Sequence, residues 1–170
     1  MNLKLITKPI LIGLAALLMS LGSCIRQPAT PTEKIESLKK QLLADAQTLQ
    51  EIEANDLVSI ERDFRKCDSM LQYLSEEQVT QSFEKLQLVQ AYIEQFKATQ
   101  PVMQAEIDST LLQLDRLKAD AETNYLSDSL VAVYLENETE YVNKLNNQVK
   151  YFEDRFGTCK ANLNTLKKQQ

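Results

Sequence analysis

Apolar side chains recur at steps of three and four residues along nearly the whole of 35–166, and a chain patterned this way has few means of burying them. Ile35, Leu38, Leu42, Leu49 and Ile52 begin the series, and Leu57, Ile60, Phe64, Cys67, Leu71 and Leu74 continue it after a slip in phase around Asn55 and Asp56. A second series runs Val79, Phe83, Leu86, Ile93, Phe96, Met103, Ile107, Leu111, Leu114, Leu117 and Ala121. A third runs Val131, Leu135, Val142, Leu145, Val149, Phe152, Phe156, Cys159, Leu163 and Leu166. Each series lays one narrow stripe along a helix, which a single helix cannot hide, so the stripes must face one another. Little interrupts them: past residue 24 the only glycine is Gly157 and the only prolines are Pro28, Pro31 and Pro101. Leu, Gln, Glu, Lys and Ala, the better helix formers, supply most of the rest.

Local signals divide the pattern into helices. Thr30-Pro31-Thr32-Glu33 offers a capping threonine, a proline at the first helical position and a glutamate that completes a capping box. Ser75-Glu76-Glu77-Gln78 repeats the device, and Ser127-Asp128 caps a third start after the turn at 123–126. The expectation is an all-α fold: an elongated antiparallel three-helix bundle or coiled coil over 32–170, with helices at about 31–74, 76–122 and 127–167, roughly 65 Å long at 1.5 Å rise per residue. Because the apolar phase survives across Pro101, the second helix reads as kinked there; the alternative is four helices with a break at Pro101. The phase slip at Asn55 and Asp56 predicts a local change of supercoil. Gly157, in mid-pattern, predicts a close approach between helices.

Cys67 and Cys159 occupy stripe positions. Counted up two parallel helices from Glu33 and Asp128, both stand near 50 Å, which predicts a disulfide between them, since a long closed loop gains most from one. The competing expectation is two small buried thiols.

The N-terminus carries a different signal. Lys4 and Lys8 precede an apolar run from Pro9 to Leu21, too short to span a bilayer, which ends in Leu21-Gly22-Ser23-Cys24. These residues resemble the signal peptide and lipobox of bacterial, Gram-negative lipoproteins. The resemblance implies that 1–23 are cleaved, that Cys24 accepts diacylglycerol and fatty acyl chains such as palmitate, and that 24–31 form a short tether. It further implies export past an oxidising compartment. Ile25 after the cysteine implies sorting to the outer membrane of the cell envelope, and the lack of an acidic run there implies the periplasmic face. The seven residues Ile25 to Pro31 span roughly 20 Å when extended.

Composition narrows the function classes. Loss of Lys4 and Lys8 takes the formal charge from -5 to -7, and no basic stripe with interleaved aromatics occurs, so a nucleic-acid partner is not expected. The chain has no histidine, no glycine-rich loop and no thiol outside the stripes. That leaves no general base of suitable pKa, no activated nucleophile and no metal set, so neither an enzyme nor a cofactor is expected. A bundle this thin also predicts no pocket of about 300 Å³ or more. The expected function is a membrane-anchored, non-catalytic structural or protein-interaction module whose partner is another envelope protein or the cell wall. The alternative is a carrier of a small apolar ligand or lipid, admitted where the helices part at Pro101. Leu43, Val58, Leu88, Leu112 and Tyr134, apolar residues beside the stripes, raise self-association; a wider core face is their ordinary explanation. Finally, Asp68-Ser69-Met70, Asp108-Ser109-Thr110 and Asp128-Ser129-Leu130 are similar to the triplet at which some Gram-negative exported proteins carry O-linked glycans, which makes Ser69, Ser109 and Ser129 candidate acceptors.

Overall fold

The computed structural model describes residues 29–73 and 75–168. Cys24 and the lipoprotein signal lie outside the described residues. Rod 1 comprises α1 (Pro31–Glu51), a π-helical turn (Ile52–Leu57), α2 (Val58–Met70) and a closing 3-10 turn (Leu71–Tyr73). Rod 2 is α3 (Glu76–Glu122) and rod 3 is α4 (Asp128–Lys167).

The capping signals act as the sequence implies. Thr30 Oγ1 accepts from Glu33 N at 3.2 Å while Glu33 Oε2 accepts from Thr30 N at 2.8 Å, closing the box around Pro31. Gln78 Oε1 accepts from Ser75 N at 3.2 Å, and Ser127 Oγ from Leu130 N at 3.4 Å. Between α3 and α4 the chain reverses through Asn124, whose φ of 54° is left-handed; asparagine tolerates that conformation better than most residues.

Side-chain pairs set the topology. Lys39 meets Asp115 and Gln100 meets Glu53, so residue numbers rise along rod 1 as they fall along α3. Asp45 meets Asn146 and Asp63 meets Lys167, so rod 1 and α4 run parallel. The result is an all-α bundle of three rods. Its interior is continuous, from Ile35 and Val131 at one end to Cys67 and Leu166 at the other. In the middle, Phe96 packs edge-on against Phe152 and Phe156, with ring centroids 5.2 and 5.0 Å apart.

The buried stripe is stricter than the apolar pattern. On α3 the buried positions are 82, 86, 89, 93, 96, 103, 107, 110, 114 and 117, which with half-buried Gln100 step 4-3 throughout. That spacing places Ser82, 2% exposed, and Thr110 inside, and leaves Phe83 50% exposed, against expectation. Leu111 is only partly buried. Rod 1 buries Asp45 in the same way, and α4 half-buries Glu138.

α3 is continuous through Pro101, so the four-helix alternative falls. The phase slip is absorbed by the π turn, a more local device than a change of supercoil. Ile52 and Leu57, five apart, are both buried because the wide turn accommodates one extra residue. Ser59 Oγ donates to the Asp56 carbonyl at 3.0 Å beside it.

Gly157 does not mediate close approach. A Cβ built there would meet nothing within 4 Å, and the helix continues to Lys167. Gly157→Ala is therefore expected to raise stability by about 1 kcal/mol, the ordinary helix-interior difference. A urea midpoint that stays put or falls would show that the glycine serves packing after all.

Candidate interaction surface

Three flanks run along the bundle where neighbouring rods meet, and their chemistry differs. Between rod 1 and α3, Lys39 Nζ lies 2.6 Å from Asp115 and Lys118 Nζ 2.7 Å from Glu36, while Lys97 pairs with Glu61. Between rod 1 and α4, Lys160 lies 2.6 Å from Asp56 and Lys167 2.5 Å from Asp63. Among the described residues no ion pair joins α3 to α4. That flank is held by tyrosines and amides instead. Tyr151 Oη donates to Gln95 Oε1 at 3.3 Å, and the Arg155 guanidinium lies over the rings of Tyr151 and Tyr92, 4.9 and 5.2 Å from their centroids. Burial, and the Glu106 carboxylate beside it, push the Tyr141 phenol up.

Two grooves follow this flank. One of about 570 Å³ is lined by Gln95, Thr99, Asn143, Asn147, Gln148 and Tyr151 among others. The next, of about 530 Å³, runs past Val102, Ser109, Gln113, Asn137 and Tyr141. A further groove of about 700 Å³ lies at the base, between Pro31 and Lys34 on one side and Leu135 and Thr139 on the other. Spaces above 300 Å³ thus exist, contrary to the sequence expectation. They are surface furrows, present because short Asn, Ser and Thr side chains beside the stripe do not close over it. The interior itself is filled by Phe96, Phe156, Ile35, Leu42 and other fully buried side chains.

The five residues beside the stripes are exposed, not a widening of the core face. Leu43 and Val58 lie on rod 1, Leu88 and Leu112 on α3, and Tyr134 on α4. Of these, Tyr134 lies against Leu117 and Glu138 at the base end of the α3–α4 flank.

One polar cluster was hidden in the pattern. Asp45 is 5% exposed; its Oδ1 accepts from Asn146 Nδ2 at 2.6 Å, and its Oδ2 has no partner. Burial pushes its carboxyl up, against the Asn146 hydrogen bond, and burial does the same to Glu138. Thr110, also buried, gives its hydroxyl to the Glu106 carbonyl at 2.8 Å. A residue that breaks an otherwise perfect 4-3 apolar step was the signal for Asp45, Thr110 and Glu138.

The cysteines need a correction. Both are free and buried, and the Cys67 thiol donates to the Leu163 carbonyl at 3.9 Å, one helical turn beyond Cys159. Counting rise from the helix starts ignored the extra residue absorbed by the π turn and the stagger between rods, and together these leave the thiols out of level. Burial pushes Cys67 up and Cys159 to about 11, so neither forms thiolate readily. Both are expected to resist alkylation in the folded protein at pH 8 and to react fully in guanidinium. Rapid stoichiometric labelling without denaturant would contradict the packing.

Ser69, Ser109 and Ser129 are all exposed, each on a helix. Ser69 Oγ donates to the Lys66 carbonyl at 2.8 Å, Ser129 Oγ lies 3.1 Å from Ser127 Oγ, and Ser109 lines the second α3–α4 groove. Among the described residues no three His, Cys, Asp or Glu side chains gather as a metal set, and no helix is long and apolar enough to cross a membrane. No family model, curated protein or solved structure matches the chain.

Proposed function

We propose that the chain is a lipid-anchored envelope protein, held at the periplasmic face of the outer membrane through Cys24, that acts without catalysis by presenting its α3–α4 flank to another envelope protein or to the cell wall. One observation carries the interaction reading: every interhelical ion pair among the described residues holds rod 1 to a neighbour, which leaves α3–α4 as the flank where tyrosines and uncommitted amides face outward. Tyrosine and amide side chains combine large contact area with adaptable hydrogen bonding, whereas lysine and glutamate are depleted at the centre of interfaces. The anchor reading rests on Leu21-Gly22-Ser23-Cys24. The filled interior speaks against a carrier of apolar guests.

Two experiments test the two halves separately. Cys24→Ala should abolish palmitate incorporation and release the protein from the membrane pellet; unchanged labelling would overturn the anchor. A photo-crosslinking residue at Asn147 or Gln113 should give discrete products in intact cells, while the same residue at Gln50, on the outer side of rod 1, should not. Equal products from all three positions would remove the α3–α4 flank from consideration.

A further inference from the structure

We propose that the bundle contains a built-in joint, at the level where the weak points of all three rods meet. Each rod has one interruption to its regular helix. In rod 1 it is the π turn, Ile52–Leu57. In α3 it is Pro101, which has no amide hydrogen to give the Lys97 carbonyl and whose ring crowds that carbonyl. In α4 it is Gly157, the least restrained residue a helix can contain.

Side-chain bonds place the three together. Gln100, next to Pro101, donates through Nε2 to Glu53 of the π turn at 3.3 Å. Lys160 reaches Asp56 of the same turn at 2.6 Å. Helical side chains lean toward the N-terminus, so the Lys160 head, and with it the π turn, lies beside Gly157 one turn earlier. Each interruption is also free of a local packing cause: Pro101 and Gly157 are exposed, and nothing lies within 4 Å of a Cβ at 157.

The coincidence matters mechanically. A weak point in one rod of a bundle is splinted by its two neighbours, and bending requires all three to yield at one level. Here they do. The joint separates a base portion, α1 with the ends of α3 and α4 nearest the 123–127 turn, from an outer portion built on α2, the start of α3 and the end of α4. The bonds that cross it, Gln100 to Glu53 and Lys160 to Asp56, are made by long, largely exposed side chains that follow a bend without loss.

Amide hydrogen exchange on the full chain tests this. Segments 52–57, 97–104 and 154–160 should exchange about tenfold faster than the buried turns on either side, 38–49 and 107–117. Gly157→Ala and deletion of Ala54, which restores a four-residue step between the buried residues of the π turn, both favour the helix. Each should slow exchange about fivefold in all three segments, the ratio that a helix-interior glycine-to-alanine difference implies. Slowing confined to the altered rod would mean three independent weak points and would overturn the joint. So would exchange at these segments no faster than at their neighbours.

Discussion

Phe96→Ala is expected to destabilise the bundle by about 3–5 kcal/mol, a large part of the 5–15 kcal/mol that separates a typical domain from its unfolded chain. Phe96 is 1% exposed, and its ring meets Phe152 and Phe156 edge-on at about 5 Å, an arrangement that gains beyond the area it buries. Truncation would leave a cavity that three rods joined by short turns cannot collapse to fill. The control is Phe83→Ala in the same helix. Phe83 is half exposed, so its loss should change stability by no more than about 0.5 kcal/mol. Urea unfolding followed by far-ultraviolet circular dichroism compares the two. Similar losses at both positions would mean that α3 is rotated from the register described.

Acidification should first strengthen the fold and then weaken it. Asp45 and Glu138 are both pushed above their ordinary values by burial, so the folded state binds protons more tightly than the unfolded chain. Stability therefore rises as pH falls from neutrality through their folded values, toward about 4. Below that point the sign reverses. Glu36 is held below the usual carboxylate range chiefly by its hydrogen bond to Lys118, and Asp63 by that to Lys167; protonating them forfeits those pairs. Asp45→Asn should flatten the rise. The double change Asp45→Leu with Asn146→Leu, which removes the buried charge together with its partner, should raise stability at pH 7 by about 1–3 kcal/mol. A profile that declines steadily from pH 7 downward would contradict the buried carboxylate. The natural sequence keeps Asp45 at that cost, and a lone polar residue in a coiled-coil seam has a known use: it fixes register and the number of helices.

The rods, their caps and most of the core were legible in the residues, because a 3.6-residue helix makes hydropathy periodic and because caps need particular side chains. Thr30, Glu33 and Ser127 stand where the spacing put them. What failed was resolution within the period. Between adjacent Ser82 and Phe83, hydropathy chose the phenylalanine, while the 4-3 geometry of the seam buries the serine. Asp45 went unseen for the same reason: a charge in a seam reads as a gap, although Asn146 on a neighbouring rod partly satisfies it. The slip at Asn55 and Asp56 was visible, but the way the backbone absorbs it was not, since a π turn and a change of supercoil answer the same shift in phase. The cysteine register went astray because rise along a helix says nothing about the stagger between helices. The α3–α4 flank became apparent only once the ion pairs could be assigned to the other two.

Three is an odd number, and that fixes where the chain's two ends emerge. With rods running up, down and up, Pro31 opens the bundle at one end and Lys167 closes it at the other, about 60 Å away for a 40-residue α4. A reporter fused at the C-terminus would therefore be displayed far from the tether. The same parity resists circular permutation, since a peptide joining the old termini would have to run the whole length of the molecule, about 18 residues even if fully extended.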